Sequence, residues 1–436
     1  MDDDLNLLER MRADWNARAG EDAYYFVAFG RREQDHEEFF ATAADVLRLL
    51  TGELKRLRRR DAALEIGCGP GRLMRPLSVF FTKIHGVDVS EEMVRLANEN
   101  LRSTPNAYAH VTSGSDLSQF PDERFDFVYS YAVFQHIPSR EVVFQYLSEA
   151  RRVLKTGGIL RCQINGLPAH AKQYDTWSGV RISPEEITGF ARDNDLQLLA
   201  LEQIWTQYMW VTCRKMPLGW TQWLDEPGAG LFPLEPAPVI RRISNALTGE
   251  AVAPATGPMA AISVRVEQLP VDCDLNHVAI AADSHPCRLT YIGEREPDGI
   301  SQVNAALPKG IRTGLVRIEL TWLGRPVCPA GWVRIIPAGP AVPRVQSVTD
   351  GINLLSGTRI ASRVLKVTMM DVLDAGQFRA ALDGMEVPGT ESFCVDPIFQ
   401  HYEFNVTLPE SVKPGAHQVE ITLGKRAFAP VAIEVV

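Results

Sequence analysis

Three glycines at alternate positions, Gly67, Gly69 and Gly71, follow directly on the apolar run Ala63-Leu64-Glu65-Ile66. Lacking Cβ atoms, they let backbone approach a ligand closely and allow the sharp turn that leads a strand into a helix. Cys68 sits among them, where a small residue is needed. About 20 residues beyond Gly67, the run Lys83-Ile84-His85-Gly86-Val87 ends in Asp88, the spacing at which a carboxylate can accept from a ribose diol. The plainer alternative has Asp88 only opening the next turn, with Ser90 capping a helix from Glu91 to Leu101. Further polar groups follow: Asp116-Leu117, Ser130-Tyr131 and His136, an imidazole of the kind that exchanges protons near neutral pH.

Such groups must be held by a sheet. Short apolar runs at 63–66, 83–88, 107–114, 125–131 and 159–165 alternate with helical patterns, which predicts parallel strands in an α/β fold. A helix over 35–59 carries one apolar stripe (Phe39, Ala43, Val46, Leu50, Leu54, Leu57). Ser183-Pro184-Glu185-Glu186 is a helix start with Ser at the cap and Pro at the first position. The runs 196–204 and 208–215 are joined so tightly that they must pair antiparallel. Two adenosine ligands compete for the glycine turn, a dinucleotide and S-adenosylmethionine. The dinucleotide fingerprint puts its third glycine one place later, where this chain has Arg72. A ligand without phosphates fits G-x-G-x-G better, and a terminal antiparallel hairpin is foreign to dinucleotide dehydrogenases.

Glu65-Ile66-Gly67-Cys68-Gly69-Pro70-Gly71 resembles the first motif of the bacterial class I S-adenosylmethionine-dependent methyltransferases, and the likeness runs to about residue 215. It implies a Rossmann-like sheet of seven strands, S-adenosylmethionine as cofactor, and no metal. Glu65, Gly67, Cys68, Gly69, Gly71 and Asp88 would hold the cofactor. Val89 and Met93 would wall the adenine, although a Met at helical spacing also reads as core. Asp116 would accept from the adenine amino group, or cap the turn before Pro121, and the backbone at Leu117 would read the ring edge. Carbonyls around Ser130 and Tyr131 would receive the amino-acid end. The N-terminal arm would close the pocket as a lid over cofactor and acceptor, with Arg18, Tyr24 and Tyr25 in it, or these residues pack as a helix and loop on the sheet, as Trp15 is expected to do in the core. The insertion 166–181 would add His170, Tyr174 and Trp177 to the acceptor wall. His136 is either the base for a hydroxyl acceptor or a structural group at a strand end. The acceptor would be a small molecule or a glycan. The alternatives are a protein of the same fold that binds cofactor without turnover, and an NAD-linked oxidoreductase.

The chain of 436 residues has a net charge of −9, unlike a general nucleic-acid binder. No apolar run reaches membrane-spanning length, and the acidic start is unlike a signal peptide, so no membrane partner and a cytoplasmic location are expected. Seven cysteines without a C-x-x-C pair give neither a zinc pattern nor a disulfide frame. The basic cluster 55–60 reads as a solvated helix end. Residues 1–215 form the expected first domain. A Pro- and Gly-rich linker follows over 216–258, with room for a short helix at 239–247. From 260 the pattern is all β. Asn304, Gly314, Glu319 and Arg325 recur at the same offset as Asn405, Gly415, Glu420 and Arg426. An offset of about one hundred residues suits two successive immunoglobulin-like sandwiches, 259–341 and 342–436. They would serve as spacer, pocket cover or homodimer surface, since they carry no cluster able to do chemistry.

Overall fold

The computed structural model describes residues 2–28, 32–169, 174–229, 234, 236–339, 342–352, 357–396 and 400–436, the side chains of 2–6 excepted. The chain divides into two compact units: Met1–Trp15 with Asp45–Ala338, and Asn16–Ala44 with Gly339–Val436. His170 lies outside the described residues.

In the first unit, seven strands build one sheet: β1 (Ala62–Ile66), β2 (Lys83–Asp88), β3 (Ala107–Val111), β4 (Phe125–Ser130), β5 (Leu154–Ile164), β6 (Leu196–Glu202) and β7 (Met209–Lys215). Their order is β3-β2-β1-β4-β5-β7-β6, and only β7 runs against its neighbours β5 and β6. β1 and β4 are buried along their whole length, which is why they read as largely apolar runs, with Glu65, Asp126 and Ser130 buried among them, and not as alternations.

The helical segments before the sheet depart from expectation. α1 (Asp2–Ala28) is interrupted at Asp22 (φ −166°), whose carboxylate accepts from Tyr25 N at 3.0 Å and Glu33 N at 2.8 Å. An Asp whose own backbone is extended and whose side chain caps the next turn restarts a helix. The predicted helix over 35–59 is three pieces: α2 (His36–Ala41), α3 (Ala44–Thr51) and a 3₁₀ turn, Gly52–Arg56. Its stripe is buried from Phe39 to Leu54 as expected, but Thr42 folds its hydroxyl back onto the Phe39 carbonyl and the helix breaks there. The remaining helices are α4 (Met74–Leu77), α5 (Glu91–Asn100), α6 (Arg140–Val153) and α7 (Pro184–Asp193). α5 packs against β2 and β3, α6 against β5 and α7 against β6. Ser183 and Glu186 close the capping box that the sequence announces.

The linker expected over 216–258 is largely structure. It holds α8 (Trp220–Asp225), β8 (Val239–Asn245) and β9 (Val252–Pro254), so the segment expected to allow a helix at 239–247 is a strand. Trp220, Leu224, Ile243 and Ala253 share a core with the strands that follow. The prolines and glycines mark turns between short apolar pieces rather than an unfolded spacer.

Those strands are β10 (Ala261–Glu267), β11 (Val278–Ala282), β12 (His285–Ile292), β13 (Ile300–Ala306), β14 (Gly314–Trp322), β15 (Arg325–Pro326) and β16 (Gly331–Ile336). β8-β10-β13-β12 and β12-β11-β14-β16 are antiparallel runs that share β12, and β16 pairs parallel with β9. β12 also bonds to the edge of β6 at Tyr291–Ala200, so the α/β sheet runs on into the all-β part. Gln197 donates to the Val271 and Cys273 carbonyls, and Leu275 N to the Leu198 carbonyl.

The second unit holds a four-stranded sheet (Arg344–Asp350, Val364–Met370, His401–Thr407, Thr390–Asp396) and a six-stranded one that includes Phe378–Leu382, Gly415–Leu423 and Val431–Val435. Residues of both enter one core, in which Phe378 and Phe404 stack at 3.9 Å. The repeat maps strand on strand, with β13 and β14 recurring as His401–Thr407 and Gly415–Leu423. Asp283 accepts from Arg317 N at 2.9 Å, and Asp383 from Gln418 N at 2.8 Å, in the matching turns. Among the described residues no helix is long and apolar enough to cross a membrane.

Candidate functional site

The glycine turn leaves β1 with Gly67, Gly69 and Gly71 at φ 72°, 49° and 84°, values that L side chains adopt at a cost. A Cβ on Gly67 would lie 2.3 Å from Val133, so this position has no room for a side chain as well as no conformational freedom for one. The N–H groups of Gly67 and Cys68 both donate to the Val87 carbonyl, at 2.8 and 2.9 Å, and tie the turn to β2.

Asp88 binds the turn from the other side. Its Oδ2 accepts from Gly69 N and its Oδ1 from Ser90 N, each at 2.9 Å. Ser90 in turn caps α5 by accepting from Met93 N at 3.1 Å. These bonds are those of the plainer reading of Asp88, which opens the next turn, and they also tie it to the glycines. Burial raises its carboxyl, with the hydrogen bonds from Ser90 and Gly69 opposing.

Glu65 lies beneath the turn and accepts from the Tyr129 hydroxyl at 2.9 Å. Burial pushes it up to about 8, although the Tyr129 hydrogen bond and nearby Arg72 both pull it down. An acid raised in the folded state adds stability that is fully present below its usual 4.5 and is lost as pH rises through about 8. Glu65→Gln is expected to flatten that slope, read as chemical unfolding at pH 5 and pH 8.5. Parallel pH profiles for the two proteins would rule this out.

The end of β4 is fastened in the same way. Ser130 donates through Oγ to the Ile66 carbonyl at 2.9 Å. Tyr131 stacks on Trp210 (5.8 Å between centroids), and Arg72 lies 5.6 Å from the Tyr131 ring. Asp116 accepts from Ser113 Oγ at 2.7 Å and Ser118 N at 2.9 Å. Burial works to raise Asp116, but these hydrogen bonds outweigh it and hold the carboxyl low. The Leu117 N–H goes to Glu149 at 3.0 Å and its side chain is fully buried, so Leu117 belongs to the core. Met93 is buried like its neighbours on α5, whereas Val89 is half-buried. Cys68 is buried, which pushes its thiol well up and away from reactivity.

His136 lies in a 3₁₀ turn (Phe134–His136) after β4. Its Nδ1 is 2.8 Å from the Trp177 carbonyl, so in the neutral ring Nδ1 carries the proton and Nε2 the lone pair. Gln135 Nε2 lies 3.3 Å from that Nε2. The rings of Trp15 and Trp177 flank the imidazole at 5.3 and 5.7 Å. The loop bearing Trp177 is fixed by Gly179 N to the Gln135 carbonyl and Val180 N to the Ile137 carbonyl. A Cβ on Gly179 would fall 2.5 Å from the Ile137 carbonyl oxygen, so only glycine allows this approach. Tyr174 packs half-buried against the main core.

The first turns of α1 prove more involved than sequence reasoning allowed. Leu7, Leu8 and Met11 pack on the core, and Leu8 lies near Gly114 and Val89. Arg12 reaches the Thr112 carbonyl at 3.4 Å, and Asp14 accepts from Thr176 at 2.6 Å. The signal was present in the spacing of Leu8, Met11 and Trp15, one face of a helix, but its partners in the fold were invisible. Trp15, expected as plain core, is half-buried against His136. Arg18, Tyr24 and Tyr25 belong to the second unit. Tyr24 stacks on Phe39 at 4.2 Å, and Tyr25 is buried beneath the Arg32 guanidinium. The structure thus does not gather these three with His136, Tyr174 and Trp177 within one unit. Among the described residues no group of three or more His, Cys, Asp or Glu could hold a metal ion.

Residues 64–162 match the family model described as a methyltransferase domain. An uncharacterised protein of Methanocaldococcus jannaschii is 31% identical over 130 residues, 30% of this chain and 57% of that protein. A trans-aconitate 2-methyltransferase of Afipia carboxidovorans is 33% identical over 127 residues, 28% of this chain and 46% of the enzyme. The chain thus spans about half the length of these curated relatives. A solved structure of phosphoethanolamine N-methyltransferase 1 from Haemonchus contortus, with phosphoethanolamine and S-adenosylhomocysteine, matches at a TM-score of 0.37 and 15% identity, covering 48% of this chain and 49% of that one.

Proposed function

We propose that the chain is an S-adenosylmethionine-dependent methyltransferase, with a small molecule or glycan as acceptor. The observation that carries this reading is the G-x-G-x-G turn at the end of β1, held from the other side by the Asp88 carboxylate and lying inside the segment that matches a methyltransferase domain. The residues fit such a cofactor. Gly67, Gly69 and Gly71 expose backbone without Cβ atoms, Asp88 would accept from the ribose hydroxyls beside its bonds to Gly69 and Ser90, and Asp116 would accept from the adenine amino group. Arg72, where the dinucleotide fingerprint has its third glycine, breaks that pattern, which weighs against hydride chemistry.

When bound, the cofactor supplies a sulfonium methyl whose leaving group is a neutral thioether. The chain's own work is then chiefly to align an acceptor heteroatom and exclude water. For a hydroxyl acceptor, His136 Nε2 takes the proton as the new bond forms, while the Trp177 carbonyl holds the ring in the required tautomer. The rings of Trp15 and Trp177 lie beside it and offer apolar contact.

The test is incubation of cell extract with enzyme and methyl-labelled cofactor, followed by mass spectrometry. A labelled product together with S-adenosylhomocysteine is expected. Cofactor binding without turnover on any acceptor would make the protein a binder of the same fold instead. His136→Ala is expected to lower turnover about 10²-fold or more with cofactor affinity retained. Undiminished turnover across pH would leave His136 a structural role only.

A further inference from the structure

The ladder between β4 and β5 ends where Ser130 lies beside Cys162. Beyond that point a backbone donor leaving β4 has to find its acceptor outside the ladder. For Ala132 the acceptor is a side chain: its N–H donates to Gln163 Oε1, near the end of β5, at 3.2 Å. Gln163 is only 4% exposed, and an amide buried in a sheet is costly unless it is bonded. The backbone that it holds is unusual. Ala132 stands at φ 57°, in the left-handed region that a residue with a Cβ adopts at a cost and that Gly or Asn would ordinarily fill. Such a bend persists only where its surroundings over-determine it, and its place beside a candidate site asks what it does there.

The next residue answers. Val133 is turned back over the glycine turn: a Cβ on Gly67 would fall 2.3 Å from Val133 Cγ2 and 2.7 Å from Cγ1, so the isopropyl group fills the space a side chain there would take. The Val133 carbonyl accepts from His136 N at 2.9 Å and opens the turn Phe134–His136. One residue thus touches the glycine turn with its side chain and sets the His136 turn with its carbonyl. On the other flank of the bend, Tyr131 stacks on Trp210, which is the residue in register with Gln163 on β7.

We propose that Gln163 is a positioning residue of the methyl-transfer site. By accepting from Ala132 N it holds the left-handed bend that seats Val133 on Gly67 and aims the turn bearing His136. It acts through Ala132 and not on a ligand, so one buried amide keeps the cofactor side and the acceptor side of the site in register. What the site binds rests on the methyltransferase reading, whereas the clasp belongs to the chain itself.

The experiment compares the full chain with Gln163→Leu, which keeps the side chain's approximate size and removes the acceptor, and with Gln163→Leu combined with Ala132→Gly. It reads amide hydrogen exchange over 132–136 without ligand, and calorimetric affinity for S-adenosylhomocysteine. In Gln163→Leu, exchange over 132–136 should quicken and affinity should fall about tenfold, as for a hydrogen bond lost with its donor left unpaired. Glycine takes a positive φ without the cost that a Cβ imposes, so adding Ala132→Gly should restore most of the affinity, which a packing role for Gln163 would not allow. Should Gln163→Leu not fold, Ala132→Val attacks the same bend with Gln163 intact, because a β-branched residue resists positive φ, and should show the same two changes. Unchanged exchange and affinity in the folded variant, or no restoration by glycine, would overturn the proposal. No affinity in the unaltered chain would overturn the methyltransferase reading itself, an outcome distinct from equal affinity in chain and variant.

Discussion

A chain ending at Lys215 is expected to collapse without reaching a packed native state, although it contains every strand of the α/β sheet. The reason lies in β6, the edge strand of that sheet, which is buried from Leu196 to Leu201 on both faces. An edge strand with no wet face needs a cover. Here the cover is supplied by residues beyond 258: Tyr291 pairs with Ala200, Leu275 N donates to the Leu198 carbonyl, and the Gln197 amide donates to the Val271 and Cys273 carbonyls. Truncation also removes Ile292 from Arg56 and Glu294 from Arg214, leaving one buried and one largely buried arginine short of acceptors. Leu199, which shares its surroundings with Leu269, Cys273 and Ile292, would be exposed at about 1.5–3 kcal/mol. Added to the lost backbone pairing and unpaired polar groups, this is comparable to the 5–15 kcal/mol by which a domain is stable at all. The control is a chain ending at Ala338, which loses the same C-terminal residues of the second unit. It should retain near-ultraviolet circular dichroism and a cooperative melt, and the shorter chain should show neither. A cooperative melt from residues 1–215 alone would show that the cover is dispensable.

The second large effect is expected at Asp88. Asp88→Ala removes a ribose acceptor and also leaves the N–H groups of Gly69 and Ser90 without theirs, so cofactor affinity should fall at least tenfold, or about 1.4 kcal/mol. The two roles separate in Asp88→Asn. The amide can still accept one of the two N–H bonds, but it presents a donor where the other needs an acceptor. It should therefore be destabilised, and its affinity for S-adenosylhomocysteine should be reduced as well. Calorimetry on each folded variant, beside its thermal melt, tells the contributions apart. Unchanged affinity in folded Asp88→Ala would end the ribose assignment and leave Asp88 as the clasp of the glycine turn.

The glycine turn and the elements around it were legible in the sequence because their residues are bound by local rules. Gly67, Gly69 and Gly71 stand where φ is positive, Asp88 ends the strand that must lie beside β1, and Ser183 and Glu186 cap α7 through neighbours three residues apart. The antiparallel arrival of β7 followed from a connection too short for anything else. Strands and turns of this kind are determined within a few residues, and the sequence of the chain alone determined them here.

Tertiary structure decided the rest, wherever the answer depended on what lies opposite in space. Arg56 reads as a surface cation until Ile292 and Glu294, far along the chain, enclose it. The proline-punctuated stretch after 216 reads as a spacer until Trp220 and Ile243 find the core of β10–β16. Tyr24 and Tyr25 read equally as lid or as packing, and their partners Phe39 and Arg32 come only with the fold, as does His136 against Trp15, which reads as plain core. Burial and partner choice are properties of a whole fold, not of a window of residues, because an aromatic or a guanidinium side chain has the same local preferences whether it faces water, a core or a ligand.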